Sequence, residues 1–295
     1  MNTNPKKRSI GKTVCAILAV LLVLSGAELL YSNLALTVSR YTLRSEKVDS
    51  AIRIVFLSDL HGREFGTDNE RLLKKIAGEK PDLIALVGDI VNNNATADEI
   101  GHMCGFIQRV SEIAPVYYSL GNHENSYLRS HETDLLERIR RSGAVVLESE
   151  YLDVEIHGIP LRIGGYMGYY RQPIMTTSDP EQVDRELAFA DAFEATDRFR
   201  LLLNHIPTMW LDWSGINRYP VDLVLSGHYH GGLIRIPILE RGVIVPNARL
   251  FPPYTKGQFE GSEATCVLTT GLAGSKWPRF FNPPEIVAVD ILPAE

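Results

Sequence analysis

Ile52-Arg53-Ile54-Val55-Phe56-Leu57-Ser58-Asp59-Leu60-His61 is a mostly apolar hexapeptide running straight into a turn that holds a carboxylate and an imidazole two positions apart. A short run rich in Ile, Val and Leu, closed by turn residues, is the pattern of a buried strand. The juxtaposition returns four times. Residues 83–87 lead into Gly88-Asp89, 116–120 into Gly121-Asn122-His123-Glu124, 201–203 into Asn204-His205, and 221–225 into Gly227-His228-Tyr229-His230-Gly231. Each polar group therefore stands just past a strand end. Open α/β sheets bind their ligands there, because side chains from neighbouring strands converge at the carboxyl edge. Asp59, His61, Asp89, Asn122, His205, His228 and His230 together read as a site for two metal ions.

Between these strands the spacing predicts helices. One is capped by Asp68, with Leu72, Leu73 and Ile76 on one face and Pro81 beyond its end; others run over 98–110 and 132–142, the last stopped by Gly143. The resulting β-α-β-α-β alternation implies helices packed on a largely parallel sheet. The second half changes character: 145–147, 154–156 and 161–163 are short runs around Gly158-Ile159-Pro160, which predicts antiparallel pairing in a second sheet. A further helix, capped by Asp179 with Pro180 at its first position, runs to about Phe193 with Val183, Leu187 and Ala190 on one side. The expected architecture is α/β: two packed mixed β-sheets flanked by helices, after an N-terminal apolar helix.

A chain of 295 residues with 45% hydrophobic and 22% charged residues has ordinary globular composition. The net charge of -6 offers no general grip on nucleic acid, so no nucleic-acid partner is expected and a phosphate-bearing ligand must be held by local charge. Cys15, Cys104 and Cys266 have no Cys-x-x-Cys pairing and make no disulfide framework. At the N-terminus Lys6, Lys7, Arg8 and Lys12 precede the apolar residues 14–24, then Ser25-Gly26-Ala27, Glu28 and a milder apolar stretch over 29–36. A bilayer core needs about 20 helical residues. Residues 13–36 reach that length if Glu28 lies near the interface. The competing reading is a signal peptide cleaved after the small residues. The anchor is the expectation, with residues 1–36 as cytoplasmic tail and anchor, 37–50 as a linker that serves as stalk or first edge, and 51–295 as the catalytic domain. The positive N-terminal flank then places the N-terminus inside and the domain outside the cell membrane, in a single-pass arrangement.

Five of the 8 histidines fall in the five motifs. Singly, each motif is common; the conjunction of carboxylates, an amide and imidazoles at successive strand ends is not. The chain resembles the calcineurin-like metallophosphoesterases, from Ile52 to Ile291, with all five motifs in that family's order. Its tail over 271–285, with Ser275, Pro278, Arg279 and Pro284-Glu285, resembles the membrane-associated bacterial branch. Tyr229 and Leu233 depart from the residues usual there.

The resemblance implies a division of labour. Asp59, His61 and His230 hold one metal, Asn122, His205 and His228 the other, and Asp89 bridges them. A mixed nitrogen and oxygen set without thiolate suits two divalent transition ions, Mn, Fe, Zn, Co or Ni. The implied activity is hydrolysis of a phosphate ester or anhydride, of phosphodiesterase or pyrophosphohydrolase type, near a membrane, with a hydroxide shared by the metals as nucleophile and His123 donating a proton to the leaving oxygen or steadying charge. Glu124 is placed to orient His123. The substrate is a phosphate-containing small molecule or a lipid-linked one, and the alternatives are a phosphoprotein phosphatase or a catalytically silent metal-binding scaffold. Arg63 is read as either a phosphate contact or a surface ion pair, and Tyr229 and Leu233 as residues that alter the pocket. His102, His131 and His157 are expected at the surface, and Trp210 and Trp213 in packing. Lys276, Trp277, Arg279, Phe280 and Phe281 are read either as a loop resting on the membrane or as a cover for the second sheet.

Overall fold

The computed structural model describes residues 5–131, 133–246, 249–273 and 278–294, without the side chains of 5–10. Pro5–Leu34 forms helix α1, and Thr37–Ser45 (β1) and Ile52–Leu57 (β2) open the first sheet. Glu70–Glu79 (α2), Leu83–Val87 (β3), Ala97–Ser111 (α3), Val116–Ser119 (β4), Asn122–Ser130 (α4), Leu135–Arg141 (α5) and Ala144–Leu147 (β5) complete the first half. Glu150–Ile156 (β6), Ile159–Tyr166 (β7), Pro180–Glu194 (α6), Phe199–Asn204 (β8) and Leu223–Ser226 (β9) follow. Two short ribbons come next: Arg235–Ile236 (β10) with Arg241–Gly242 (β11), and Ile244–Val245 (β12) with Arg249–Leu250 (β13). Gly257–Glu260 (β14), Thr265–Leu268 (β15) and Glu285–Pro293 (β16) close the chain.

Two six-stranded mixed sheets result, ordered β1-β16-β2-β3-β4-β5 and β14-β15-β9-β8-β7-β6. Alternation along β2 shows why its apolar run has no polar face. Ile52, Ile54 and Phe56 enter the core between the sheets, with Leu201, Leu203, Leu223 and Leu225 opposite. Val55 and Leu57 pack on the other side, against Leu72 and Ile76 of α2 and Ile107 of α3. Strand β8 divides likewise, because Leu202 turns outward to Phe193 of α6 and Trp210. Strands covered on both faces lose the polar alternation of a half-exposed strand. The layers are therefore helix, sheet, sheet, helix, the expected α/β architecture.

Several expectations need correction. Of the two readings of residues 37–50, stalk or first edge, the edge holds for 37–45, which form the edge strand β1, paired in parallel with β16. Only Val38, Tyr41 and Leu43 reach core, so the strand reads as polar, and its partner lies more than 240 residues away. Residues 144–147 pair in parallel with β4 in the first sheet rather than antiparallel in the second. The hairpin β6–β7 is antiparallel as expected. Asp68 does not cap α2; it stands in a preceding turn, and the cap position is Asn69. Helix α4 was not foreseen, since Asn-His-Glu-Asn-Ser carries no apolar period, and α5 begins at Leu135. At α6 the Asp179 carboxylate accepts the Glu181 N–H at 3.1 Å, but the buried face is Phe189, Ala190 and Phe193, with Val183 and Leu187 half-buried.

Gly11–Leu34 within α1 is long and apolar enough to cross a membrane by length and composition, and its apolar window is exposed. Its C-terminal end is docked. Glu28 accepts the Phe281 N–H at 2.9 Å, Ser32 Oγ accepts the Asn282 N–H at 3.0 Å, and Asn33 exchanges hydrogen bonds with the Arg279 backbone.

Candidate metal centre

The carboxyl ends of β2, β3 and β4 in one sheet and of β8 and β9 in the other converge on one spot. Asp59 and His61 come from the β2 turn, Asp89 from the β3 turn, Asn122 from the first residue of α4, His205 from the residue after β8, and His228 and His230 from the β9 turn. Asp59, His61 and His230 bring ligand atoms within 4.8 Å of one another, and so do Asp89, His205 and His228. Asp89 also joins His61 and His123 in a third such group. Five of the seven, Asp59, His61, Asp89, His228 and His230, have φ between 46° and 68°. Left-handed backbone at non-glycine residues costs energy and persists only where the surroundings over-determine it. Here the turns lock one another: the Asp59 and His61 N–H groups donate to the Gly88 and Asp89 carbonyls at 3.1 and 3.0 Å. Space is equally tight, because a Cβ at Gly227 would collide with Ser58 Oγ and come within 2.5 Å of Asp59 Oδ2.

The ring nitrogens show whether these residues fit metal ions. His205 Nδ1 donates to the Val87 carbonyl at 2.8 Å, His230 Nδ1 to the Ala273 carbonyl at 3.2 Å, and His61 Nδ1 faces Asn92 Oδ1 at 3.0 Å. With Nδ1 spent on an acceptor, the neutral ring presents Nε2 as a lone pair, the usual arrangement of a metal-ligating histidine. His61 Nε2, His205 Nε2 and Asn122 Oδ1 are buried without a hydrogen-bond partner. Buried polar atoms are normally paired, so three such atoms in one cluster around Asp59 and Asp89 call for a ligand. Asp59 and Asp89 are satisfied from behind, by the His228 N–H at 3.1 Å and the His123 N–H at 2.8 Å. The donor set fits divalent ions.

Electrostatics agrees. Burial would raise the Asp89 carboxyl, but the imidazoles of His205, His61 and His123 outweigh it and hold it well below the usual range. Asp59 is likewise lowered, against burial, first by His230. Burial alone would lower His205, yet Asp89, with Oδ2 3.1 Å from its Nε2, raises it to about 10. Burial drives His228 down to about 3 and His230 to about 4. At neutral pH the metal-free cluster thus holds two carboxylates, three neutral imidazoles (His61, His228 and His230) and the imidazolium of His205. Net negative charge in a buried site favours cations.

The surroundings revise several readings. Glu124 does not orient His123. It is fully buried and accepts the N–H groups of Asp89 (2.8 Å), Ile90 (2.7 Å), Val91 (3.2 Å) and Gly121 (2.9 Å) and the Tyr118 hydroxyl (2.8 Å), tying the β3 turn to the start of α4. His123 is half-buried, its Nδ1 accepts the Asn93 N–H at 3.3 Å, and its Nε2 lies 4.0 Å from Asp89 Oδ2. Arg63 is neither a phosphate contact nor a surface ion pair: it donates to the Leu272 and Asn33 carbonyls and covers the Phe65 ring. Tyr229 points away from the site, bonded to Thr208 and Asp212, whereas Leu233 lines the cavity over the metal ligands. Trp210 is packed in the outer core and donates to Asn204, and His102, His131 and His157 are exposed. Arg279 is not at the surface. It is fully buried and donates to the carbonyls of Thr270, Ala273 and Asn282. Lys276, Trp277 and Ser275 lie outside the described residues. Sequence reading missed Asn92 and Asn282, whose amide groups hold the carbonyls of His61 at 3.0 Å and His230 at 2.7 Å. Their only signal was closeness to ligand motifs, three residues past Asp89 and inside the 271–285 tail.

Known proteins give this arrangement a lineage. A metallophosphoesterase of Aquifex aeolicus is 27% identical over 284 residues, 91% of this chain and 97% of that one. YkoQ of Bacillus subtilis, also named a metallophosphoesterase, is 25% identical over 187 residues; the alignment spans 63% of each chain, less than two thirds of that relative's length. The UDP-2,3-diacylglucosamine pyrophosphatase LpxG of Chlamydia muridarum is 23% identical over 275 residues, 80% of this chain and 82% of that one. Among solved structures, a 5'-nucleotidase precursor from Thermus thermophilus superposes with a TM-score of 0.48 at 14% identity, over 82% of this chain and 54% of its own. The sequence model of the calcineurin-like phosphoesterases matches residues 52–232, more than half of the chain and every motif that builds the metal centre. The chain belongs to the calcineurin-like phosphoesterase family.

Proposed function

We propose that the chain is a two-metal hydrolase of phosphate esters or anhydrides, acting beside the membrane that α1 crosses. The observation that carries this reading is the inward set of orphaned atoms, His61 Nε2, His205 Nε2 and Asn122 Oδ1, around two buried carboxylates. Asp59, His61 and His230 would hold one ion and Asn122, His205 and His228 the other, and the Asp89 carboxylate, grouped with His61 of the first set and with His205 and His228 of the second, would offset their repulsion. When bound, such a pair supplies Lewis-acid charge and lowers the pKa of a water to near neutrality.

The chain's own residues do the rest. His123 is the mirror case of the ligating histidines: Nδ1 accepts a backbone N–H, so the neutral ring carries its proton on Nε2, on the side of Asp89 and the cavity. That proton is available to the leaving oxygen. Glu124 fixes the Asp89 turn, so the bridging carboxylate keeps its place as charge develops. The pyrophosphatase name borne by the Chlamydia relative supports an anhydride, including a lipid-linked one, as substrate.

The test uses full-length protein reconstituted with Mn, Zn or Fe. Metal analysis is expected to find two ions per chain and bis(p-nitrophenyl) phosphate to be cleaved only by the loaded form. Asp89→Asn is expected to weaken both ions. Two fully occupied sites in that variant sink the bridging role, and a loaded wild type inert toward mono-, di- and pyrophosphate esters alike makes the chain a metal-binding scaffold.

A further inference from the structure

The cavity over the metal ligands has two unlike ends. Asp89, Asn122, His123, His228 and His230 form one; Leu233, Ile234, Ile244, Val245, Pro246 and Pro278 form the other, around a void of about 540 Å³. A water-soluble phosphate needs only the first end. The second contributes no polar side chain among the described residues, so it offers a base, a sugar or a peptide nothing to bond.

The apolar end is built by Ile244 and Val245 of β12, by Leu233 and Ile234 leading into β10 and by the prolines, and the ribbons β10–β11 and β12–β13 carry their own exposed apolar surface. Ile238, at the turn of the first ribbon, is 94% exposed, Leu239 next to it is exposed, and so are Leu250 and Phe251 at the end of the second. Isolated apolar residues at a surface need no explanation, but four large ones on two short ribbons that also supply a pocket wall do. The cavity wall is tied to α1 through residues 280–281. The Arg235 N–H donates to the Phe280 carbonyl at 2.9 Å, and the N–H of the next residue, exposed Phe281, donates to Glu28 of α1. The cavity wall at Ile234, Phe280, Phe281 and the Glu28 turn of α1 thus adjoin one another.

We propose that the two ribbons form a hood that dips into the bilayer crossed by α1, and that the cavity takes an amphiphilic phosphate from it. The phosphate lies at the metal ligands and one hydrocarbon chain along Leu233, Ile244 and Val245. The proposal rests on the hydrolytic, membrane-anchored reading above and names its substrate class. Leu233 is the residue that joins the two ends. Its backbone is left-handed, φ 52°, and the Asn282 amide that holds the His230 carbonyl also reaches the Leu233 carbonyl at 3.1 Å. One side chain therefore sets the distance between metal ligand and tail wall.

Binding is read separately from turnover, on metal-loaded full-length protein in phosphatidylcholine nanodiscs. Alkylphosphonates from methyl to hexyl are titrated, and bis(p-nitrophenyl) phosphate turnover is measured on the same sample. Each buried methylene tightens binding roughly threefold to fourfold, so the Kd is expected to fall at least tenfold across the series, and Ile244→Ser with Val245→Ser to flatten it. A Kd independent of chain length in the wild type overturns the tail site, whether or not the diester is cleaved. Chain-length-dependent binding without turnover upholds the tail site and fells the hydrolytic reading instead. For the hood, Ile238→Trp in nanodiscs of brominated phosphatidylcholine is expected to lose emission beyond the wild-type change. An added tryptophan that the brominated lipid does not quench overturns immersion.

Discussion

Four histidines of the candidate centre differ in which ring nitrogen the protein occupies, and that difference is the basis of the roles proposed for them. His61, His205 and His230 turn Nδ1 to an acceptor and leave Nε2 bare, while His123 accepts at Nδ1 and is protonated at Nε2. His123→Ala is accordingly expected to keep both metals and to lower turnover about 10²–10⁴-fold, the range of a general acid. The loss shrinks for p-nitrophenyl esters, whose leaving group needs no proton; equal losses on alkyl esters make the role electrostatic support. His205 allows a second test. Its value of about 10 in the metal-free fold lies above the ordinary 6.5, so its stabilisation is complete below about pH 6.5 and is lost as pH rises through 10. The melting temperature of chelated protein should fall over that window. Metal-loaded protein should hold, because a bound ion has already displaced the proton. Parallel curves for the two forms contradict the assignment of His205.

At the scale of elements, the site is a set of mutually locked turns, and Gly227 is where they meet most closely. Gly227→Ala drives a Cβ into Ser58 Oγ and toward Asp59, at backbone that cannot shift without moving the β2 turn. The expected cost is about 1–3 kcal/mol. The metal that Asp59 helps to hold should also be released more readily, which thermal melting and metal retention after dialysis measure together. A variant with wild-type melting and retention shows the turns to be looser than this. Glu124 works at the same scale. Its position was plain in Gly121-Asn122-His123-Glu124, but four backbone donors from two turns are visible only once β3 and β4 lie side by side. Residues 37–45 show the converse: an edge strand of which only Val38, Tyr41 and Leu43 reach core carries little hydrophobic signal, and its partner β16 is remote in the chain, so stalk and edge could not be told apart from sequence.

For the whole molecule, the docked end of α1 ties the apolar helix to the segment that supports His230. Glu28, Ser32 and Asn33 bond residues 279–282, and within that segment Arg279 and Asn282 hold the backbone around the last ligand. We expect membrane-extracted protein to retain its leader, with the N-terminus cytoplasmic and the catalytic domain outside. An intact mass beginning near Glu28 shows cleavage instead, and protease protection of the domain in intact cells reverses the orientation. The sequence by itself determined the central strands, the seven ligand-type residues at their ends and the apolar leader, because each is written in contiguous residues: an unbroken apolar run, a turn motif, a helix-length hydrophobic stretch. Only the tertiary structure decided which nitrogen each histidine presents, that Glu124 serves the Asp89 turn, that Arg279 is buried, and that an apolar wall adjoins the metal ligands. Those properties belong to hydrogen bonds and contacts between segments far apart in the chain, and the residues that make them take on their roles only when the two sheets have closed on their common core.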